Sequence, residues 1–514
     1  MTRSIDASAL RSWLADGGEL AVLDVREPGQ YDRGHLLASV PLPYSRLELD
    51  VPALVPNPAV RLALCDQGDG VAWRAARRLQ RLGYDNVHVL DGPPSRWAQC
   101  GWGLFEGVNT LSKAFGERVE HACRTPHLTA PELKQRIDRG DDVLVIDGRP
   151  LAEYRKMNIP GSLCCPNGEL ALRIAALAPD PNTTIVVNCA GRTRSIIGAQ
   201  TLRSLGVRNP VFALEDGTQG WFLAGFALEH GASRTYSEEP SDDRSLETFR
   251  ARTSALMLGN GVPTVDATTV NAWRADRQRT TYVFDVTNEA TFAHARLGIV
   301  HAPGGQLLQA TDRWIGVRGA RSVLVDGDGV RAGVVASWLR QMGHRAAVLQ
   351  PRAETGLLPV DVPRADLPVL ASIGAGDVAG ARLIDLRTSE EYRAGHAAGA
   401  VWSVRPRIVA DVANAQRVAL ISTDAHIACL AAIDLIEAGV EVLGIVANAS
   451  CTEVSPGIPS PEDAIDVLTF AQGRHEGNRA AAIQYLDWEK GLLDRLTAEE
   501  RALLVPVAGE EACA

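Results

Sequence analysis

The residue of this chain best placed to do chemistry is a cysteine lying between an apolar run and a helical one. Cys189 follows Thr184-Ile185-Val186-Val187-Asn188 and opens the stretch Cys189-Ala190-Gly191-Arg192-Thr193-Arg194-Ser195. A helix-period segment then runs from Ile196 to Leu205 and stops at Gly206. This order predicts a strand, a tight loop and a helix, with the thiol at the helix N-terminus. There the unpaired N–H groups and the positive end of the helix dipole favour an anion. Arg192 and Arg194 add two permanent positive charges. A free thiol has a pKa of about 8.5. A partly buried helix N-terminus contributes up to about 2 kcal/mol, and one pKa unit is about 1.4 kcal/mol. The dipole alone therefore moves the thiol by roughly one unit, and the guanidinium groups act in the same direction. The pattern predicts a thiolate beside a small anionic substrate. The bland alternative is a cysteine that merely fills a strand end.

The elements that must hold this loop occur four times. Each copy has an apolar strand ending at an aspartate: Asp24, Asp147, Asp285 and Asp385. An aromatic residue follows seven positions later (Tyr31, Tyr154, Phe292, Tyr392), and four positions after that come His35, Asn158, Arg296 and His396. A second apolar strand ends at Cys65, Cys189, Asp326 or Ser422, which lie 41, 42, 41 and 37 residues after the aspartate. A helix-period segment then stops at Gly83, Gly206, Gly343 or Gly439, and a third strand closes the unit. Near-continuous apolar strands alternating with helices predict an α/β fold, a parallel sheet covered on both faces. Loops beyond the carboxyl ends of such strands are where function sits.

Three segments of the second copy carry a family resemblance. Asp147-Gly148-Arg149-Pro150-Leu151-Ala152-Glu153-Tyr154 with Ile159-Pro160-Gly161-Ser162 is similar to the opening motif of the rhodanese sulfurtransferases. Cys189 through Arg194 resembles that family's six-residue active loop, and Gly217-Thr218-Gln219-Gly220-Trp221 its closing segment. The whole chain resembles a four-repeat member. The expected organisation is four rhodanese-like domains at 1–107, 126–232, 262–351 and 364–450, followed by a helical tail at 451–514. Val108 to Thr125 reads as a connecting segment and Ser233 to Leu258, polar and acidic at first and then helix-like, as a linker. The tail, with a capping-box match at Thr497-Ala498-Glu499-Glu500, is expected to pack against the last two repeats; a dimer contact is the sharper alternative.

The loops differ where chemistry requires likeness. Cys65 is followed by Asp66-Gln67-Gly68-Asp69-Gly70, whose carboxylates oppose both a thiolate and an anionic substrate. It is expected to be inert or, at most, an auxiliary carrier. Asp326 cannot form a persulfide. Ser422 lacks a suitable base; His426 is too near one helix start to orient it, and no nucleophile-elbow sequence surrounds it. Domains 1, 3 and 4 are thus expected to leave catalysis to domain 2. Adjacent Cys164 and Cys165 read as strand packing, with a resolving thiol for Cys189 as the alternative. His35 and His396 read as turn elements rather than metal ligands.

The resemblance implies double-displacement sulfur transfer. The Cys189 thiolate takes the outer sulfur of a donor such as thiosulfate, carries it as a persulfide and gives it to cyanide or a thiol. Ala190, Gly191, Arg192, Thr193, Arg194 and Ser195 are expected to line the substrate, with Arg192 and Arg194 the candidates for orienting the sulfonate and one of them, alternatively, bracing the loop through a carboxylate. Arg149 and Glu153 read as a structural pair. No metal or organic cofactor is expected. Two other classes compete: a binding scaffold for a sulfur relay, and a cysteine phosphatase. The phosphatase pattern places its arginine one position later, where Ser195 stands.

Composition agrees with a soluble multidomain protein. The chain has 514 residues, 46% hydrophobic, and a net charge of −10, which disfavours a nucleic-acid surface. No stretch is long enough and free enough of charge to span a membrane, and the amino terminus lacks the apolar core of a signal peptide. Nine irregularly spaced cysteines suggest neither a disulfide framework nor a zinc site, so a cytoplasmic setting is expected.

Overall fold

Each near-continuous apolar run becomes a strand whose side chains are covered on both faces. Leu20–Asp24 and Thr184–Asn188 are buried at every residue. The computed structural model describes residues 2–237, 242–288, 292, 298–360, 363–447, 450–451, 453–455, 457–502 and 504. The first sheet takes β1 (Arg3–Ile5), β2 (Leu20–Asp24), β3 (Val40–Pro41), β4 (Arg61–Cys65) and β5 (Val87–Leu90). The second takes β6 (His127–Leu128), β7 (Val143–Asp147), β8 (Leu163–Cys164), β9 (Thr184–Asn188) and β10 (Val211–Leu214). The third takes β11 (Thr264–Val265), β12 (Thr281–Asp285), β13 (Val300–His301), β14 (Arg321–Val325) and β15 (Arg345–Leu349). The fourth takes β16 (Ser372–Ile373), β17 (Arg382–Asp385), β18 (Val401–Trp402), β19 (Arg417–Ile421) and β20 (Glu441–Val446). Within every sheet the order is first, fifth, fourth, second, third, and the pairings are parallel. Helices cover both faces, so the α/β repeat architecture is as expected.

The repeats do not associate in chain order. One compact unit contains Met1–Val108 and Val362–Phe470; the other contains Asn109–Asp361 and Ala471–Ala514. The first unit therefore unites repeats one and four, and the second unites repeats two and three. In the first unit the repeats meet through buried ions. Arg405 donates to both oxygens of Glu48 at 2.5 and 2.7 Å and to the Tyr44 carbonyl at 3.1 Å. Arg78 reaches Asp434 and donates to Glu437 at 2.6 and 2.8 Å. In the second unit the contact is by close backbone approach: a Cβ on Gly168 would lie 3.0 Å from the Gly305 nitrogen. Arg331 also donates to Glu169 at 2.7 Å, and Trp338 Nε1 to Thr201 Oγ1 at 2.8 Å.

Two segments gain definition and one expectation needs correction. The connecting segment is a helix, Thr110–Cys123, that packs on the helix Thr193–Ser204 of the second repeat. The linker also becomes a helix, Asp243–Gly259, laid so close to Arg331–Gln341 that a Cβ on Gly333 would meet Thr253 Cγ2 at 2.4 Å. The tail does not pack against the last two repeats as one piece. Residues up to Phe470 stay with the unit of repeats one and four, whereas the tail helix Arg479–Lys490 lies against the connecting helix of the other unit. Its capping box forms: Thr497 N donates to Glu500 Oε2 and Glu500 N to Thr497 Oγ1. Among the described residues, no helix is long and apolar enough to cross a membrane.

His35 and His396 are turn elements in this structure. The Nδ1–H of each donates to the carbonyl of Tyr31 or Tyr392, at 3.1 and 3.0 Å, and each ring stacks on that tyrosine. In the second repeat Asn158 Nδ2 makes the same bond to Tyr154 at 3.2 Å. Arg296, the residue matched to them in the third, lies outside the described residues. Burial lowers His35 to about 3, and lowers His344 and His475 to about 4 with help from neighbouring arginines. The unfolded chain binds these protons below about pH 6.5 while the fold resists them. Their stabilisation is thus present above about pH 6.5 and lost as pH falls towards 4, then 3. Each histidine is expected to lose about 2 kcal/mol between pH 7 and pH 5. His35→Asn, which copies the second repeat, should remove its share of that slope in urea titrations. An unchanged slope would rule out His35 as a source of acid lability.

Candidate active site

The active-loop candidate forms where β9 ends. Asn188 pairs in register with Asp147 of β7, and its Nδ2 donates to Asp147 Oδ2 at 3.0 Å. Cys189 is the next residue and is only 2% exposed. The closing segment fixes the loop by its carbonyls: Thr218 N donates to Cys189 O at 2.8 Å, and Gln219 N and Nε2 donate to Ala190 O at 3.1 Å. This contact requires glycine at 217. Its φ is +56°, and a Cβ there would come within 2.3 Å of Cys189 O. The helix begins at Thr193, and Ser195 Oγ donates to Cys189 Sγ at 3.2 Å. The contact places a hydroxyl donor against the sulfur at the point where the helix begins. Ser195 thus lies within hydrogen-bond distance of Cys189, and Thr193 opens the helix between them.

Both arginines are engaged with carboxylates, the bracing arrangement that the sequence left open for one of them. Arg192 donates to Glu117 at 2.7 and 2.9 Å, reaches Glu120, and donates to Asp216 at 3.3 Å. Burial opposes its charge, but Glu117 and the other carboxylates outweigh that and raise its pKa. Arg194 donates to both oxygens of Glu153 at 2.8 Å and to Gln306 at 3.4 Å, while its carbonyl accepts from Asn167 Nδ2. Both guanidinium groups brace the loop. The expected Arg149–Glu153 pair is absent as such: Arg149 forks onto Asp147 at 2.9 and 2.7 Å, leaving Glu153 to Arg194.

Residues that sequence reasoning missed complete the site. Glu489 of the tail helix accepts from Thr193 Oγ1 at 2.6 Å and lies 3.7 Å from Lys113 Nζ of the connecting helix. Lys113 also reaches the Tyr485 hydroxyl. Burial alone would push Glu489 up, but Lys113 and the bonds from Thr193 hold it below the ordinary carboxylate range. One signal was available. Glu489 falls where the buried stripe of its helix, Ala481, Ala482, Tyr485 and Leu486, comes round again. A carboxylate on such a stripe needs a buried partner.

The other loops are filled by their own carboxylates. Cys65 does not open the first loop, contrary to the 41-residue spacing assigned to it. It is the last residue of β4, paired with Asp24 as Asn188 is with Asp147, and it packs among Leu10, Leu20 and Trp97. Burial and then Asp24 push its thiol well up. Asp66 takes the loop position, accepting from Gly68 N at 2.8 Å and Ala72 N at 2.9 Å. Asp326 does the same with Gly329 N and Ala332 N, and burial beside Asp328 raises it to about 7. Ser422 Oγ donates to Asp424 O, and Asp424 caps the helix at His426 N. Cys164 donates to the Arg149 carbonyl at 3.4 Å and is pushed up to about 12 by burial; Cys165 is buried beside it. Cys123 is disulfide-bonded, a single bond rather than the framework that the cysteine spacing disfavoured. Among the described residues, no group of three or more His, Cys, Asp or Glu is placed to hold a metal ion.

Comparison with known proteins identifies the family of the fold. The rhodanese-like domain model matches residues 6–100 and 129–224. The crystal structure of a thiosulfate sulfurtransferase from Pseudomonas aeruginosa is 37% identical, with a TM-score of 0.86, and the match covers 96% of this chain and 98% of that one. YrkF of Bacillus subtilis (strain 168), for which a sulfur-carrier role is proposed, is 29% identical over 111 residues, 22% of this chain and 58% of its own. The HTH-type transcriptional regulator Rv0324 of Mycobacterium tuberculosis (strain ATCC 25618 / H37Rv) is 35% identical over 106 residues, 20% of this chain and 45% of its own. The chain thus spans about half the length of the curated relatives it matches. Identity at this level along nearly the full length of both chains, on four sheets of one topology, means that this protein belongs to the rhodanese family.

Proposed function

We propose that the protein is a sulfurtransferase that carries a sulfane sulfur on Cys189. The observation that carries the reading is the loop itself: a cysteine at a strand end and helix start, its sulfur accepting from Ser195 Oγ at 3.2 Å. The donor is thiosulfate or a similar anion, and the acceptor is cyanide, a thiol or a protein thiol. The Cys189 thiolate attacks the outer sulfur of thiosulfate; a Cys189–S–S⁻ persulfide forms and sulfite leaves with the electrons of the broken S–S bond. The acceptor then takes the outer sulfur and the thiolate is restored. The Ser195 hydroxyl and the loop backbone at Ala190 and Gly191 stabilise the charged sulfur, while Arg192 and Arg194 hold the loop rigid.

The domain roles follow. Catalysis belongs to residues 126–232, and the repeats at 1–107, 262–351 and 364–450 serve as scaffold, their cradles closed by Asp66, Asp326 and Asp424. A cytoplasmic setting belongs to the same reading. The P. aeruginosa structure, described as a thiosulfate sulfurtransferase, supports it. The short loop with Ser195 where a phosphatase has arginine disfavours phosphoryl transfer. Incubation with thiosulfate and measurement of intact mass is the direct test. The parent protein is expected to gain about 32 Da, the mass of one sulfur atom. No gain with thiosulfate would give the lead to the scaffold reading.

A further inference from the structure

The tail helix delivers a carboxylate to the active loop whose second oxygen is unused. Glu489 is fully buried; its Oε1 takes the Thr193 hydroxyl and faces Lys113, while Oε2 accepts no hydrogen bond. A Cβ at Gly191 would lie 2.9 Å from Oε2 and 3.1 Å from Tyr485 Cε1, so the idle oxygen rests against the loop backbone. An incoming oxoanion meets no spare guanidinium. Arg192 already faces Glu117, Glu120 and Asp216, and Arg194 is forked onto Glu153. Lys113 differs, because the carboxylate in ion-pair contact with it, Glu489, is borne on a separate helix, while the buried Asp312 also feels its charge. Exchanging one buried anion for another keeps such a site balanced, whereas adding a second would crowd like charges.

We propose that Glu489 is a tethered occupant of the donor's anion site, which the donor's oxoanion displaces from Lys113 and Thr193 before sulfur transfer. The inference rests on Cys189 as the sulfur carrier. Glu489 is then a specificity-determining residue: a donor binds in proportion to how well its oxoanion outcompetes an internal carboxylate.

The test uses the full chain and the thiosulfate concentration giving half-maximal persulfide on Cys189. Glu489→Gln keeps the shape and the Thr193 bond but not the charge. It is expected to lower half-saturation about tenfold, the scale of one charge-assisted hydrogen bond, with the final extent of loading unchanged. Lys113→Met is expected to raise half-saturation by about as much. The double variant leaves neither charge buried alone, which protects the fold, and its half-saturation should lie at or above the parent's. Half-saturation that is unchanged or raised in Glu489→Gln, or lowered in the double variant, overturns the proposal while persulfide still forms. Failure of the parent to load at all instead overturns the reading of Cys189.

Discussion

Cys189→Ser is expected to abolish the mass gain with thiosulfate and to lower turnover at least about 10⁴-fold, the scale of nucleophile removal. The serine hydroxyl cannot supply a persulfide sulfur, and nothing else in the loop can. Cys65→Ser should leave both loading and turnover as in the parent. The contrast is decisive because Cys65 ends a strand beneath an aspartate-filled loop, whereas Cys189 opens its loop. Loading lost with Cys65 and retained without Cys189 would place the chemistry in the first repeat and refute the argument from register.

Arg192→Met is expected to be the most damaging change that leaves the cysteine intact. It removes the cation on which Glu117, Glu120 and Asp216 converge beside the loop. Breaking a buried pair from one side costs about 3–5 kcal/mol, because the remaining charge stays buried. The loop should lose its shape, so kcat should fall together with kcat/KM and the melting temperature should drop. Adding Glu117→Gln should recover part of both. A residue that only oriented the donor's sulfonate would instead raise KM and leave the melting temperature alone, so a pure KM effect would show that Arg192 faces substrate.

Much of this was legible in the chain. The strand–aspartate–aromatic spacing marked four parallel sheets, and the loop from Cys189 to Ser195 marked the site, because backbone geometry acts over short sequence distances. Two kinds of feature were not legible. Register at β4 was misread by one residue, because an apolar run ending in cysteine looks the same whether that cysteine closes the strand or opens the loop; only the pairing of Asp24 with Cys65 decides it. The partners of Arg192 and Thr193 lie 75 and 296 positions away, on Glu117 and Glu489, and no local pattern links such residues. Two arginines beside a cysteine suggest an electropositive site, yet the fold returns enough carboxylates to spend both on rigidity.

The pairing of the first repeat with the fourth has a consequence for synthesis on the ribosome. Roughly 250 residues separate the two halves of that unit, and at about 5–20 residues per second the first half waits tens of seconds for the second. Throughout that interval Glu48 and Arg78 lack Arg405 and Asp434, and the surface meant for the fourth repeat stays open. The sheets of repeats two and three are consecutive in the chain and come together first, although their unit is completed only when Ala471–Ala514 is made. The joining of repeats one and four is therefore a late and vulnerable step of biogenesis, one where a chaperone or a pause in translation would change the yield of native protein.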